Sequence, residues 1–248
     1  MRNKKTFITS PKLDKQEHSK IPKELVTIVL LGENHGHRMK SYGPISLIKL
    51  GGKTLLEKQI DTISSIFDNF EIIICSGFET EKTVEFVKSK FKNLNVRVVE
   101  NQLHYNSNCC ESARLCINNT MNDRILFCNG GVLINPSHLS SVDFDKNWTL
   151  IQSESHDSNF EIGVIENNNV LENFSIGVKN KYWSEIFYLN GQKEISYFLS
   201  IISDPDYKNR FLFEALNEFN KKIKLQIVKS NKSLLKIDNI KTLKRIVQ

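Results

Sequence analysis

The sequence predicts an α/β fold in which a mixed, mostly parallel β-sheet is flanked by helices. Continuous apolar runs of strand length, such as residues 24–32 and 70–78, alternate with segments of helical hydrophobic spacing, such as 54–67. This alternation is typical of right-handed βαβ units, whose parallel strands are buried on both faces. The chain has 248 residues, of which 40% are hydrophobic, so it can bury the core of one large domain.

The regular alternation occupies the first part of the chain, up to about residue 145. Strands are predicted at 24–32, 70–78, 95–101 and 123–131, and helices at 54–67, 80–91 and 108–119. Ligands of such sheets bind beyond the carboxyl ends of the strands. Those ends lead here into the loops at 32–44, 76–79, 101–108 and 129–136. The candidate motifs described below fall in these loops.

The later part of the chain is predicted to extend the same sheet. A strand at 148–154 precedes a hairpin at 161–178, whose turn contains three consecutive asparagines, Asn167 to Asn169. Further elements are a strand-like run at 182–190, helices at 193–203 and 211–222, a strand at 223–230, and a short strand and helix within 234–247, the helix beginning at about Asp238. We therefore predict one domain over residues 25–248, with halves at 25–145 and 146–248.

Charge is concentrated at the N-terminus. Residues 1–24 contain seven Lys or Arg against three acidic residues, which leaves only about +2 of the total net charge of +6 for the rest of the chain. We interpret this segment as a flexible basic arm that does not join the core. The favoured interpretation is a disordered leader, and the alternative is an arm that docks on an acidic partner or on a neighbouring subunit of a homo-oligomer. The nearly balanced remainder argues against nucleic-acid binding.

Membrane and secretory functions are not indicated. The longest apolar runs have the length of strands, and the basic N-terminus lacks the apolar segment of a secretory signal. The five cysteines are odd in number and form no Cys-x-x-Cys pair. They are predicted to be free thiols in a reducing compartment, so we expect a cytoplasmic location.

A loop suited to phosphate binding follows the first strand. The stretch "LLGENHGHRMKSYGPISLIKLGGKTLL" (30–56) combines glycines with cations. Glycine lets a backbone approach an anion closely, and a guanidinium matches a phosphate with two parallel hydrogen bonds. The candidates are Gly32, Gly36 and Arg38, together with Glu33 and His37 in the same loop. His35 and His37 could bind a metal, but no third ligand is evident.

The order of motifs resembles the nucleoside-diphosphate-sugar pyrophosphorylases. This family, also called sugar-phosphate nucleotidyltransferases, includes phosphocholine cytidylyltransferases. The resemblance covers roughly residues 25–135 and 234–246 and is carried by "GHRM", "GGKTLLEKQI", "VVEN", "LFCNG" and "KIDN". It implies a Rossmann-like, GT-A-like nucleotidyltransferase fold with a nucleotide-binding half and an acceptor-side half. It also implies condensation of a nucleoside triphosphate with a sugar phosphate or small alcohol phosphate, which releases pyrophosphate.

Site residues are carried over from the resemblance position by position. It implies phosphate contacts from the glycine-rich loop, with Arg38 neutralising the leaving pyrophosphate. Asn108 and Ser112 in "SNCCES" match the stretch that leads to the base and sugar pocket, although both are also ordinary helix-capping residues. Asn129 lies in the "NG" motif, and Lys53 of "GGK" is expected on the acceptor side.

Two positions depart from the family pattern. The family lysine after the loop proline is replaced by Ile45, and the family metal aspartate of "NGD" is replaced by Gly131. The second metal carboxylate is present as Asp238, which we expect to bind Mg²⁺ and act in catalysis, although a helix N-cap role is equally consistent with its position. Glu33 is a hypothetical replacement for the missing metal ligand.

Three functions remain open at this point. The first is an active nucleotidyltransferase that uses Arg38 and Asp238. The second is an inactive family member that binds a nucleotide or sugar phosphate or serves as a structural subunit. The third is a glycosyltransferase of the related fold, for which "DFD" (143–145) and "DPD" (204–206) have the required Asp-x-Asp pattern.

Overall fold

The computed structural model describes residues 21–34, 39–153, 161–230 and 232–247. The strands are β1 (Val26–Leu31), β2 (Lys49–Leu50), β3 (Lys53–Thr54), β4 (Phe70–Ser76), β5 (Val96–Glu100), β6 (Arg124–Asn129), β7 (Val132–Leu133), β8 (Trp148–Gln152), β9 (Ile162–Asn167), β10 (Val170–Ile176), β11 (Tyr182–Asn190), β12 (Gln226–Lys229) and β13 (Leu235–Lys236). The helices are α1 (Leu55–Ile66), α2 (Thr80–Lys90), α3 (Cys109–Ile117), α4 (Gln192–Ile202), α5 (Leu212–Lys222) and α6 (Ile240–Val247).

Both halves of the chain contribute to one mixed sheet. Its strand order is β5-β4-β1-β6-β11-β8-β12-β10-β9. The first four strands of this order are parallel, as predicted. Beyond them, β11 is antiparallel to both of its neighbours β6 and β8, and the β9–β10 hairpin is antiparallel too. The expectation of a mostly parallel sheet therefore applies to the first half and not to the sheet as a whole.

The central strand β1 shows why its sequence is a continuous apolar run. Val29 and Leu31 pack into one core cluster with α3, α4 and α5, while Ile28 and Leu30 pack into a second cluster with α1 and α2. Successive side chains of a strand point to opposite faces. A strand with helices on both faces must consequently be apolar at every position.

A third, smaller apolar cluster attaches the C-terminal helix to the loop that follows β1. It contains Met39, Ile45, Ile48, Leu50, Leu55, Ile237 and Leu243, with Ile240 packed against it. This cluster, called the α6 cluster below, brings α6 and the end of β13 against residues 39–55. Segments that are far apart in sequence thereby meet at one edge of the sheet.

The β9–β10 turn agrees with the prediction, whereas helix α6 starts two residues later than predicted. The β9–β10 turn has Asn168 and Asn169 at φ of 51° and 60°, the left-handed region that asparagine tolerates better than most residues. Helix α6 starts at Ile240 rather than at about Asp238. The side chain of Asn239, not that of Asp238, accepts the hydrogen bond from the backbone N–H of Thr242.

The basic arm at 1–24 lies outside the described residues except for 21–24. All five cysteines are described and are free thiols, and four of them are buried while Cys109 is half-buried. No helix within the described ranges combines the length and apolar character needed to cross a bilayer.

Candidate functional site

The carboxyl ends of β1 and β6 lie side by side and approach each other unusually closely. The N–H of Gly130 donates a hydrogen bond to the carbonyl of Leu31 over 2.7 Å. A Cβ atom at Gly130 would lie 2.7 Å from the Cα of Gly32, so no larger residue fits without moving the backbone. The two loops leaving these strands are thus held together, and the candidate site lies where they diverge.

Asn129 links the end of β6 to the neighbouring strand β11. Its Nδ2 donates to Glu185 Oε2 over 2.7 Å, and its Oδ1 accepts from the backbone N–H of Gly131 over 2.8 Å. Glu185 has a left-handed backbone with φ of 60° and lies at an irregularity in the β11–β8 pairing. The bulge re-aims its carboxylate towards the end of β6.

Lys236 is brought to the same place by the short ribbon of β7 and β13, in which it pairs with Val132. Its ammonium donates to Glu185 Oε1 and lies 3.6 Å from Asp238 Oδ2. The side chain is only 10% exposed. Burial lowers the pKa of Lys236, but the charges of Glu185 and Asp238 outweigh this and the pKa is raised. Lys236 is therefore a buried cation in this site.

Glu33 is a buried carboxyl group just after β1. The residue is 4% exposed, and its Oε1 accepts a hydrogen bond from Asn34 Nδ2 over 3.1 Å. Its other oxygen, Oε2, is buried without a hydrogen-bond partner among the described residues. Burial raises the pKa of Glu33 to about 6, against the lowering effects of its own backbone amide and the Ser112 hydroxyl.

These groups line two adjoining cavities at the carboxyl edge of the sheet. The larger, of about 190 Å³, is lined by Leu31, Glu33, Asn34, Asn108, Cys109, Asn129, Ile162, Trp183, Glu185, Phe211, Leu212, Phe213 and Lys236. The smaller, of about 170 Å³, is lined by Leu31, Gly32, Glu33, Asn34, Ile45, Asn129, Lys236 and Asp238. The shared lining residues show that the two cavities are parts of one cleft, whose described wall carries three carboxyl groups and one ammonium.

Several residues predicted from the sequence meet in this cleft. Gly32, Glu33, Asn108, Asn129 and Asp238 all line it. Asn108 is at the same time the N-cap of α3, since its Oδ1 accepts from the backbone N–H of Cys109 over 2.8 Å. The structure thus confirms the capping role of Asn108 and places the residue on the wall of the cleft, while its contact with a nucleotide stays a prediction.

Other predicted residues are placed differently. Ser112 is fully buried, and its hydroxyl accepts from Asn101 Nδ2 over 3.0 Å. It supports the wall behind Glu33. The N–H of Gly32 donates to the carbonyl of Cys75 over 3.0 Å, so that N–H is already committed to β4 and not to an anion nest. Gly36, His37 and Arg38 lie outside the described residues, as does His35.

Lys53 does not belong to this cleft. It is exposed on β3 and forms an ion pair with Asp61, with 2.5 Å between Nζ and Oδ2. It lines a separate cavity with Leu133 and Leu235 of the β7–β13 ribbon. The predicted acceptor-side role of Lys53 would therefore require a ligand that extends beyond the cleft.

The two positions that depart from the family pattern are in contact. Ile45 is 6% exposed and packs in the α6 cluster with Met39 and Ile237. A Cβ at Gly131 would lie 2.6 Å from the Ile237 carbonyl oxygen and 3.1 Å from Ile45 Cδ1. An aspartate at position 131 would clash with backbone, and a lysine at position 45 would have to bury its stem in an apolar cluster. Both replacements are thus part of one packing arrangement.

Comparison with solved structures identifies the fold. The chain is similar to the inositol-1-phosphate CTP transferase from T. maritima, with a TM-score of 0.71 and 16% identity over 87% of this chain and 90% of that one. It is also similar to the CTP:phosphocholine cytidylyltransferase from Streptococcus pneumoniae, with a TM-score of 0.72 and 14% identity over 89% and 96% of the two chains. The chain has the fold of the sugar-phosphate nucleotidyltransferases.

A third structure with this nucleotidyltransferase fold is the UTP-bound UGPase from Acinetobacter baumannii. Its TM-score is 0.67 at 12% identity, and the match covers 90% of this chain and 92% of that one. No protein-family model matches the sequence, and no curated protein matches it either. The likeness to nucleotidyltransferases is thus one of fold, at 12–16% sequence identity.

The described part of this nucleotidyltransferase fold does not fit the Mg²⁺ site that the resemblance implied. Mg²⁺ binds through carboxylates, phosphate oxygens and waters, but position 131 has no side chain and no room for one. Asp238 is engaged by Lys236 and by the amide of Asn239, whose Nδ2 donates over 2.7 Å. Within the described ranges, no three His, Cys, Asp or Glu side chains are grouped to hold a metal ion. Glu33, the hypothetical replacement ligand, belongs to no such group of three, and its role as a ligand of a nucleotide-bound Mg²⁺ stays a prediction.

The Asp-x-Asp patterns also find no support as a metal motif. Residues 143–145 precede β8, which runs parallel to β6, so they lie at the opposite edge of the sheet from the cleft. Asp143 accepts a hydrogen bond from the N–H of Asp145 over 3.2 Å, and Asp204 accepts from the N–H of Asp206 over 2.9 Å. Each of these pairs closes a local turn.

Sequence reasoning missed two central residues of the cleft, Glu185 and Lys236. Glu185 lies within a strand-like run, and nothing in that run indicates the bulge that turns its carboxylate towards Asn129. Lys236 carried a usable signal, since it stands two residues before Asp238 in "KIDN". Alternate residues of a strand share a face, so a lysine there could have been expected beside the aspartate.

Proposed function

We propose that this protein is a nucleotidyltransferase that binds a nucleoside triphosphate in the cleft and couples it to a phosphorylated small molecule, releasing pyrophosphate. The observation that carries the proposal is the agreement in fold with nucleotidyltransferases over 87–89% of this chain and 90–96% of theirs. The cleft supports it independently, because ligands of open α/β sheets bind at the carboxyl ends of the strands. Fold alone does not imply function, so the reaction itself is open to test.

The chemistry requires positioning and charge neutralisation rather than covalent catalysis. The acceptor phosphate attacks the α-phosphorus in line with the departing pyrophosphate. In the described part of the cleft, the groups that can contact phosphate oxygens are Lys236, Asn34, Asn108 and Asn129. Arg38 is proposed to contribute from the loop after β1, and Asp238 to orient Lys236. The acceptor is proposed to enter the larger cavity, beside Trp183 and Phe213.

The proposal can be tested by ligand-induced stabilisation followed by an assay for pyrophosphate. Thermal unfolding is measured with CTP, UTP, GTP, ATP or dTTP, each with Mg²⁺ or with EDTA, and with the matching nucleosides as controls. A ligand at a hundred times its Kd stabilises a protein by about 2.7 kcal/mol. Pyrophosphate release is then measured with the stabilising nucleotide and inositol 1-phosphate, phosphocholine or glucose 1-phosphate. Absence of a shift with every nucleotide would contradict the proposal.

A second candidate function is a nucleotide or sugar-phosphate binder without catalysis. The packing around positions 45 and 131 favours it, because a side chain at position 131 would clash with the Ile237 carbonyl and position 45 holds an apolar side chain in place of the expected cation. Loss of a cation at a phosphoryl-transfer centre removes transition-state stabilisation without preventing binding. The same experiment separates the two functions, since a binder shifts the unfolding temperature with a nucleotide but releases no pyrophosphate with any acceptor.

The organisation of the chain fits either candidate. We propose that residues 25–248 act as one unit, because strands from both sides of residue 145 alternate in a single sheet within the described ranges. Residues 1–24 are proposed as a basic arm that docks on an acidic partner or on a second copy in a homo-oligomer. A cytoplasmic location is proposed from the free thiols and from the nucleoside triphosphate substrate.

A further inference from the structure

Lys236 occupies the centre of the cleft. It lines both cavities, and its ammonium lies between the carboxylates of Glu185 and Asp238. Lysine is rarely buried, and a buried lysine requires charged partners to offset the loss of hydration. Among the described residues that line the two cavities, Lys236 is the only cation.

Backbone contacts fix the position of the chain at Lys236. Lys236 pairs with Val132 in the β7–β13 ribbon, and the N–H of Ile237 donates to the carbonyl of Gly131 over 2.8 Å. The Ile237 side chain is fully buried in the α6 cluster. The lysine stem therefore starts from a fixed strand beside the loop after β6, directly next to the position where the family pattern has its metal-binding aspartate.

The ammonium also retains capacity to bind a ligand. A lysine has three N–H donors, and of these one is donated to Glu185. Asp238 Oδ2 lies at 3.6 Å, longer than a normal hydrogen bond. The remaining donors belong to a side chain that lines both cavities, so they are available for charge-assisted hydrogen bonds to a phosphate oxygen of a bound ligand.

We propose that the Lys236 ammonium supplies the positive charge at the phosphate-binding position of this cleft, so that a nucleoside triphosphate binds without a divalent metal ion. This inference rests on the proposed function, since it names how the same site neutralises phosphate. Three observations agree with it. Position 131 cannot hold a carboxylate, and Asp238 already forms an ion pair with Lys236. Lys236 lines the smaller cavity together with Asp238. Glu185 and Asp238 then serve to position a lysine rather than a metal.

The test measures binding of the five nucleoside triphosphates in EDTA and in Mg²⁺ by thermal shift and calorimetry. The wild type is compared with Lys236→Met, Lys236→Arg and a control, Arg97→Met. The control removes a cation that is paired with a buried carboxylate, 2.6 Å from Glu71, on strand β5 away from the cleft. The wild type is expected to bind in EDTA. Lys236→Met is expected to bind about tenfold or more weakly, as for loss of a charged hydrogen bond, while Lys236→Arg and Arg97→Met retain most of the affinity.

The outcomes separate this inference from the function on which it rests. Binding that requires Mg²⁺ and survives in Lys236→Met would overturn the inference and leave the proposed function standing. Absence of binding in both EDTA and Mg²⁺ would overturn both. A second measurement covers the case in which Lys236→Met does not fold. Titration of wild-type protein and nucleotide with Mn²⁺, followed by electron paramagnetic resonance, should show the metal bound no more tightly than by the nucleotide alone. Tight stoichiometric Mn²⁺ binding by the complex would refute the inference.

Discussion

Glu33 illustrates how its surroundings set the behaviour of one residue at the end of β1. The sequence marks it only as an acid in a glycine-containing loop. In the structure it is 4% exposed, one of its oxygens has no hydrogen-bond partner among the described residues, and burial raises its pKa to about 6 from an ordinary value of 4.5. A buried carboxyl group with a raised pKa favours the protonated form in the folded state.

The free energy of unfolding is therefore expected to fall as the pH rises from about 4.5 to 6, between the ordinary and the raised pKa of Glu33. The folded state binds more protons than the unfolded state between about pH 4.5 and 6. The cost of ionising Glu33 is thus absent below that window and fully present above it, at about 2 kcal/mol. Glu33→Gln should remove this loss and be more stable than the wild type at pH 7. Urea unfolding at pH 4.5, 5.5, 6.5 and 7.5 measures the difference.

A control for Glu33→Gln is available on the same edge of the sheet. Glu100 ends β5 and is exposed, so Glu100→Gln should leave the pH dependence of the wild type unchanged. If Glu33→Gln retained the wild-type decrease between pH 4.5 and 6, burial of Glu33 would not be its cause. Comparison of the two variants at equal net charge isolates the effect of burial.

At the scale of single residues, the sequence was informative where a motif specifies the residue type expected at a position. The absent charges at positions 45 and 131 are visible in the sequence, because a motif states which residue type is expected there. That the two positions lie against each other is not visible, because they are far apart in sequence and meet only when the chain folds. Lys236 and Glu185 were missed for a similar reason, as their roles depend on tertiary pairing.

At the scale of elements, α6 connects the C-terminus to the cleft. Asn239 is 8% exposed, and its Oδ1 caps the helix at Thr242 while its Nδ2 donates to Asp238. The helix packs Leu243 into the α6 cluster beside Ile45. The cap therefore fixes both the start of the helix and the orientation of the carboxylate that faces Lys236.

Asn239→Ala is expected to destabilise the protein by about 1 kcal/mol, the usual cost of losing an N-cap side chain. Asn239→Ser should recover most of this loss, because a serine hydroxyl can still accept from the N–H of Thr242. Urea unfolding measures both variants. The matched control is Asn119→Ala, which removes an exposed amide bonded to the Leu115 carbonyl at the end of α3. A cost no larger than that of the control would contradict the capping role.

Element prediction was most successful where burial gives a strong period. The apolar runs of β1, β4 and β6 and the spacing in α1 predicted elements that the structure confirms within two residues at most ends. The start of α6 was displaced by two residues because Asp238 and Asn239 are both good capping residues. Only the tertiary position of Lys236 decides that the aspartate faces the ammonium and the asparagine caps the helix.

At the scale of the whole molecule, the reactivity of the cysteines measures how well the fold excludes solvent and reagents from its core. Cys75, Cys110, Cys116 and Cys128 are buried in the two core clusters that line the faces of the sheet. Burial raises the pKa of Cys110 to about 12. Thiolates are the reactive form, so these thiols should be protected in the native state.

When native protein is treated with Ellman's reagent at pH 8, we expect at most one thiol per chain to react rapidly and release thionitrobenzoate. That thiol is assigned to Cys109, which is half-buried and lines the larger cavity. In guanidinium chloride all five cysteines should react. Cys109→Ser should abolish the rapid phase and leave the slow phase, whose rate reports opening of the core. Rapid reaction of several thiols in the native protein would show that the helices do not cover the sheet as described.

By itself, the sequence determined the elements, the α/β class, the carboxyl-edge location of the candidate motifs and the two replaced charges. These depend on hydrophobic period and on local motifs, which act over neighbouring residues. Only the tertiary structure decided the mixed strand order, the contact between Ile45 and position 131, and the lysine between two carboxylates. Such features arise where distant segments are packed against one another, because burial and pairing of charge depend on neighbours in space rather than in sequence.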